Sequence, residues 1–101
     1  RRRPHLLDTA SALLPDVVVD LEELEDQLAA LPSSYVRIKG IMRAVDGRRA
    51  NSEVAWYAFH RVGLRVSSEP LGHSSSARVV ALGRGVTIDS VKACIESALV
   101  S

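Results

Sequence analysis

The alternation of apolar and polar residues between positions 36 and 45 is the clearest pattern in this sequence. Val36, Ile38, Met42 and Ala44 recur at every second position, with Gly40 on their side. A period of two is typical of a strand that buries one face. The positions between them carry mostly Arg and Lys. The pattern therefore predicts a strand with one buried face and one basic face.

Two further strands are predicted to follow it as an antiparallel meander. Residues 46–52 are rich in Gly, Asn, Asp and Ser, which favour a hairpin loop. Residues 54–62 contain Val, Trp, Tyr and Phe, which suit a half-buried strand. After Gly63 a third alternating run extends to Pro70, which ends the ladder because proline lacks an N–H donor.

Two amphipathic helices are predicted, at residues 21–31 and 88–99. In the first, leucines recur at spacings of three and four, and in the second Ile, Val and Ala do so. Asp20 with Glu23 forms a predicted capping box at the start of the first helix. Thr87 is expected to cap the second helix.

The order of these elements predicts the fold class. A short strand at 17–19 precedes the first helix, and another at 78–82 precedes the second. Strand, helix and strand in succession form a βαβ unit, so strands 17–19 and 36–45 should be parallel. Each helix has a single apolar stripe, which needs the sheet to bury it. We therefore predict an α+β fold, βαββββα, with a mostly antiparallel sheet and two helices packed on one face.

The N-terminal residues are expected to lie outside this domain. We predict that residues 1–15 form a linker or flexible arm, with one or two helical turns between Leu6 and Leu14 ended by Pro15. Residues 16–101 then make one domain, as the length of the chain allows.

Charge, cysteine content and the lack of a long apolar run indicate which partners and which compartment to expect. A net charge of +1 is too small to indicate nucleic acid or an anionic membrane as the partner. One cysteine cannot form an internal disulfide, so a reducing compartment, the cytoplasm, is expected. The sequence has no apolar run near the roughly 20 residues that span a bilayer, so no membrane association is expected.

The search for catalytic motifs is negative. The sequence has no phosphate-binding loop of the GxxxxGK[ST] type. His5, His60 and His73 are dispersed, and no Cys or His pair has zinc-ligand spacing. Cys94 lies towards the buried stripe of the last helix, as expected for an inert thiol. We therefore expect no enzyme activity, no cofactor and no metal site in this stretch.

A basic surface is the one positive functional feature. Arginine, lysine and aromatic side chains recur on the predicted outward positions of the meander. The predicted interaction residues are Arg37, Lys39, Arg43, Tyr57, Phe59, Arg61 and Arg65. One interpretation is an ordinary solvated sheet face with cross-strand Arg–Glu pairs. The other is a docking surface for a protein domain or a single-stranded nucleic acid. No strand carries the aromatic RNP1 pattern of RNA-recognition sheets, which argues against nucleic acid.

Several segments also resemble a known family. They are Leu31-Pro32, residues 37–40 (Arg-Ile-Lys-Gly), residues 60–63 (His-Arg-Val-Gly) and residues 79–84 followed by a terminal helix. Together they resemble the C-terminal domain of the CobW family over about residues 16 to 100. These proteins are P-loop GTPases associated with metal insertion and cobalamin biosynthesis. In that family, the GTPase motifs and a cysteine-rich metal motif belong to the N-terminal domain.

The resemblance implies a non-catalytic accessory domain that binds protein. Its role would be to help a CobW-like GTPase metallochaperone recognise its client or arrange its own domains during metal delivery. The implied partners are the GTPase domain of the same polypeptide and a metal-receiving client protein. The alternative is a stand-alone module whose sheet face binds single-stranded nucleic acid or an anionic ligand.

Overall fold

The strand Tyr35–Val45 lies at the centre of a six-stranded sheet in the computed structural model, which describes residues 7–74 and 76–100. The elements are β1 (Asp8–Leu13), β2 (Val18–Asp20), α1 (Leu21–Ala29), β3 (Tyr35–Val45), β4 (Ala55–Val62), β5 (Arg65–Pro70), β6 (Arg78–Gly83) and α2 (Ile88–Ser97). The α+β class and the predicted meander β3–β4–β5 are confirmed.

The sheet has the order β1-β6-β3-β4-β5, and β2 joins it beside β3. Along one edge of β3, residues 35–41 pair with β6 and residues 43–45 pair with β2. The β2–β3 pair is parallel, as predicted, whereas the other strand pairs are antiparallel. The chain therefore inserts β6 between β1 and β3.

Both helices begin at the predicted caps. The Asp20 carboxylate accepts a hydrogen bond from the Glu23 backbone N–H at 3.1 Å, and Thr87 Oγ1 accepts one from Ser90 N–H at 3.3 Å. The capping box is only half formed, because the Asp20 backbone N–H donates to the Ala98 carbonyl at 2.8 Å. That bond ties the start of α1 to the end of α2.

The core lies between the helices and one face of the sheet. Leucines of α1, aliphatic residues of α2 and inward side chains of β3, β4 and β6 are buried there. Gly40 is required at the centre, because a Cβ atom there would overlap the Phe59 ring and lie 2.9 Å from the Arg78 carbonyl oxygen. Gly40 thus makes room for the Phe59 ring in the middle of the sheet.

The N-terminal prediction is wrong where the structure describes it. Asp8–Leu13 is not helical but forms β1, which pairs antiparallel with β6. Ala10 and Ala12 point towards the core and Thr9 and Ser11 point away, a period of two made mostly of small residues. Because Ala, Ser and Thr differ little in hydropathy, the sequence shows this alternation only weakly. The sheet therefore begins before residue 16, and residues 1–6 of the predicted arm lie outside the described residues.

The start of β3 also differs from the prediction. The pairing with β6 shifts register between Tyr35 and Arg37. This irregularity places Tyr35 in the core and leaves Val36 43% exposed. The Tyr35 hydroxyl accepts a hydrogen bond from the Thr87 backbone N–H at 3.1 Å, which anchors the start of α2 to the sheet.

Candidate docking surface

The face of the sheet opposite the helices forms the candidate site, and we call it the open face. Strand alternation and register assign to it Thr9, Ser11, Leu13, Arg37, Lys39, Ile41, Arg43, Val45, Trp56, Ala58, His60, Val62, Arg65, Ser67, Glu69, Arg78, Val80 and Leu82. Most of these side chains are exposed or half-buried. Since α1 and α2 both bury their stripes on the other side, neither helix covers this surface.

The structure brings four of the predicted interaction residues together on the open face. Arg37, Lys39 and Arg43 project from β3, and Arg65 projects from β5. Val62 lies between Arg37 and Arg65, because it pairs with both across the neighbouring strands.

Arg78 is a fifth basic residue on the open face, and it is not among the predicted interaction residues. It begins β6 opposite Ile41 of β3. It precedes the run Val-Val-Ala-Leu at residues 79–82, which does not alternate, so the sequence does not show which face Arg78 occupies.

Tyr57, Phe59 and Arg61 do not belong to this surface, so their predicted placement is wrong. They are 4%, 0% and 0% exposed, on the helix side of β4. The register pairs them with the inward residues Met42, Gly40 and Ile38, and directly paired residues share a face. The sequence could not decide this, because β4 is apolar at both sets of alternate positions and a shift of one residue exchanges the two faces.

Arg61 instead connects α1 to the β4–β5 hairpin. Its guanidinium donates to the carbonyl oxygens of Leu28 at 2.8 Å, Pro32 at 2.9 Å and Gly63 at 2.7 Å. The Leu28 carbonyl lies at the negative end of the α1 dipole, which favours a cation. Burial lowers the pKa of Arg61 below its ordinary value. Its role is therefore structural.

A shallow depression of about 330 Å³ lies near the middle of the open face. Its lining includes Ile41, Ala58 and Val80, with Lys39, His60 and Arg78 also contributing. Ala58 is the smallest of the outward residues on β4, and the larger Trp56 and His60 flank it along that strand. The lining of the depression therefore combines apolar surface with two basic side chains.

The open face has an excess of positive charge. It carries five Arg and Lys residues and one carboxylate, that of Glu69. Within the described residues, Arg43 has a carboxylate partner, Asp16 at 3.5 Å, and it lies 5.4 Å from the Trp56 ring centroid. No carboxylate of the described segments lies within 4.0 Å of Arg37, Lys39, Arg65 or Arg78.

The helices carry the opposite charge. Together α1 and α2 contain six Asp and Glu residues and one lysine, Lys92. The small net charge of the chain therefore conceals a separation between a basic sheet face and an acidic helical layer.

The other candidate groups are not arranged for chemistry. Cys94 is buried, its Sγ lies 3.6 Å from the Gln27 carbonyl oxygen, and burial raises the pKa of its thiol. His60 is half-buried on the open face, beside Lys39 of the neighbouring strand. Residues 7–74 and 76–100 contain no cluster of three or more His, Cys, Asp or Glu side chains that could hold a metal ion. Neither α1 nor α2 has the length and apolar character that a membrane span requires.

The fold and this surface define a two-layer α+β domain with an exposed basic sheet face. Residues 10–99 match the family described as the cobalamin synthesis protein cobW C-terminal domain. The chain belongs to this family, and the resemblance of the sequence to it is confirmed. The match also includes part of β1.

Two solved structures share the fold. One is the Zn(II)-bound YjiA GTPase from E. coli, with a TM-score of 0.64 and 18% identity. The other is a Zn(II)-bound triple mutant of YjiA GTPase, with a TM-score of 0.61 and 19% identity. Each comparison covers 97% of this chain and 33% of the other, so the chain spans about a third of their length. A comparison with curated proteins gives no significant match.

Proposed function

We propose that this chain is a non-catalytic accessory domain of a CobW-like GTPase metallochaperone in the cytoplasm, and that its open face binds protein. It would help the protein recognise a metal-receiving client or dock on the GTPase domain of the same polypeptide. It would need no cofactor of its own. The observation that supports this role is the open face, which carries five basic side chains, two of which, Lys39 and Arg78, line a largely apolar depression.

The chemistry of the open face suits a protein partner. Arginine is enriched at protein interfaces because its planar head pairs with carboxylates and its stem buries apolar area. Exposed aliphatic residues beside it, such as Val80 at 43% and Val62 at 53%, provide area that a partner can remove from water. The open face therefore offers a partner both positive charge and apolar area.

The docking role is tested by the double substitution Arg37→Glu with Lys39→Glu. We expect the domain to stay folded, since both side chains are exposed. Binding to a CobW-like GTPase domain or client should weaken by on the order of 1–2 kcal/mol per contact if these side chains lie within the interface. Isothermal titration of the separately purified partner measures this change.

The matched control is Arg84→Glu with Lys92→Glu. It makes the same change in net charge at two exposed positions outside the open face. The control should bind like the unsubstituted chain. Equal loss of binding in both double variants, or no loss in either, would contradict a specific role for the open face.

A second expectation is that the chain alone neither binds nor hydrolyses GTP. Its sequence has no phosphate-binding loop to hold the β- and γ-phosphates. Calorimetry with Mg²⁺ and GTP should give no binding heat, and phosphate release should equal the buffer blank. Micromolar affinity for GTP would contradict the accessory role.

Single-stranded nucleic acid is the second candidate partner. It is favoured by Trp56, an aromatic side chain on the open face with Arg43 above its ring. Aromatic stacking beside basic residues is how sequence-independent single-strand binders work. Fluorescence anisotropy with a labelled oligonucleotide at two salt concentrations tests it. Salt-sensitive binding that Arg37→Glu with Lys39→Glu abolishes, with protein binding unchanged, would favour this candidate.

A further inference from the structure

We propose that the open face recognises an acidic protein segment that inserts one apolar side chain into the depression lined by Ile41, Ala58 and Val80. This inference rests on the proposed function and specifies the chemistry of the partner. The segment would be one strand or helix of a partner protein, with carboxylates on both sides of the inserted side chain.

The shape of the open face provides the first argument. Ala58 contributes only a methyl group, and it pairs with Ile41 on one side and Glu69 on the other. The outward neighbours of Ala58 along and across the strands are all larger, namely Ile41, Trp56, His60 and Glu69. A space of about 330 Å³ is large enough for one side chain of a partner. An aliphatic lining favours an aliphatic or aromatic occupant, because such a contact removes apolar area from water on both molecules.

The charges around the depression provide the second argument. Lys39 and Arg78 contribute directly to its lining, whereas Glu69, the one carboxylate of the open face, pairs with Ala58 but is not part of the lining. Among the described residues, no carboxylate lies within 4.0 Å of either side chain, and the same is true of Arg37 and Arg65. Unneutralised cations of one sign steer a partner of the opposite sign and disfavour a basic one. The residues next to the inserted side chain should therefore be Asp or Glu.

The position of the aromatic residue argues for protein over nucleic acid. Single-strand binders stack bases on aromatic rings. No Trp, Tyr or Phe side chain lines the depression. Trp56 flanks Ala58 on β4, and Arg43 already lies over its ring. Phosphates could pair with the basic residues, but they would leave the apolar lining uncovered.

The test uses three fluorescein-labelled synthetic peptides of equal length and the full 101-residue chain. The first peptide has a central leucine flanked by glutamates. The second replaces the leucine with alanine, and the third replaces the glutamates with lysines. We expect the first peptide to bind about tenfold more tightly than either of the others, since one buried apolar side chain and the flanking charges each contribute on this scale. Equal affinity for the first two peptides would overturn the inference.

Substitutions in the depression locate the binding site. Ala58→Leu fills the space, so it should lower the affinity for the leucine peptide to that for the alanine peptide. Because a larger residue at the centre of the sheet could impair folding, Val80→Glu is the second variant; it adds a carboxylate at a position that is 43% exposed. Val100→Glu, at a 51% exposed position outside the open face, is its control and should bind like the unsubstituted chain. Unchanged binding in folded Ala58→Leu and Val80→Glu would overturn the inference.

Two other occupants are distinguished in the same experiment. If an oligothymidylate binds more tightly than the leucine peptide, the partner is a nucleic acid and not a protein segment. If sedimentation shows concentration-dependent dimers that Val80→Glu abolishes, the occupant is the acidic helical layer of a second copy of the chain. Loss of docking in Arg37→Glu with Lys39→Glu, together with equal peptide affinities, would retain the proposed function and reject this inference alone.

Discussion

At the scale of the residue, Arg61 shows how a charged side chain can belong to the core. It is fully buried, yet each of its three hydrogen bonds reaches a backbone carbonyl and none reaches a carboxylate. The buried charge is tolerated because the guanidinium donates hydrogen bonds to three carbonyl oxygens. One of them lies at the C-terminal end of α1, where the helix dipole is negative. From the sequence alone, an arginine between apolar residues looks like an outward position.

The first prediction of stability concerns Arg61→Leu. Three charge-assisted hydrogen bonds are lost, although the Leu28 and Pro32 carbonyls keep backbone donors from Leu31 and Tyr35. Since relief from burying a charge offsets part of the loss, we expect the free energy of unfolding to fall by about 3 kcal/mol. Urea titration measures it. Arg65→Leu, at an exposed position of the adjacent strand, is the control and should change it by less than about 0.5 kcal/mol. Similar values for the two variants would show that the buried contacts contribute little.

At the scale of the element, local signals were sufficient to locate the helices and the meander but not to assign the two faces of every strand. The caps at Asp20 and Thr87 and the spacing of leucines and isoleucines located α1 and α2, because both signals act within one turn. The two faces of β4 depend instead on its partners across the sheet. Its outward residues Trp56, Ala58 and Val62 are as apolar as its inward ones. Hence the outward placement of Arg37, Lys39, Arg43 and Arg65 agrees with the structure, whereas that of Tyr57, Phe59 and Arg61 does not.

The cap of α1 gives a prediction at this scale. Asp20→Ala removes the acceptor for the Glu23 backbone N–H and should lower the free energy of unfolding by about 1 kcal/mol. Its own backbone bond to Ala98 does not depend on the side chain, so the link between α1 and α2 should survive. The control is Asp26→Ala, at an exposed position later in the same helix. Comparing the melting temperatures of the two variants distinguishes loss of the cap from loss of a negative charge. A cap role is contradicted if the two variants have the same melting temperature.

At the scale of the whole molecule, a polar network links the β3–β4 loop and the edge strand β5 to α1. Arg48, in the loop after β3, donates to Asp46 Oδ1 at 2.7 Å and to Glu25 of α1 at 2.9 Å. Ser68 of β5 in turn donates to Glu25. The network therefore fastens the β3–β4 loop and the edge strand to the helical layer.

This network makes stability depend on pH. The side-chain hydrogen bond from Arg48 lowers the pKa of Asp46, although burial acts in the opposite direction. A carboxyl group whose pKa is lower in the folded state stabilises the fold fully above its unfolded value of about 4. That contribution disappears as the pH falls through the lowered pKa. The domain should therefore lose stability below about pH 4.

Asp46→Asn tests this dependence. It should lower the free energy of unfolding at pH 7 by on the order of 1 kcal/mol and make its decline below pH 4 less steep. Urea titrations at several pH values between 7 and 3 provide the curve. Asp26→Asn removes an exposed carboxyl group from α1 and should leave the decline unchanged. A decline in Asp46→Asn as steep as in the unsubstituted chain would assign acid sensitivity to other carboxyl groups.

The insertion of β6 between β1 and β3 has a consequence for the order in which the chain can assemble during synthesis. β1 leaves the ribosome first, but its partner, residues 78–83, leaves after the whole meander. The meander β3–β4–β5 can pair as it emerges, because its strands are consecutive and its connections are local. β1 must remain unpaired until β6 arrives and fills the gap, so contacts separated by about 70 residues complete the sheet. A nascent chain halted before residue 78 would thus hold a folded meander and a free N-terminal strand, whereas a chain halted after α2 has emerged could close the whole sheet in one step.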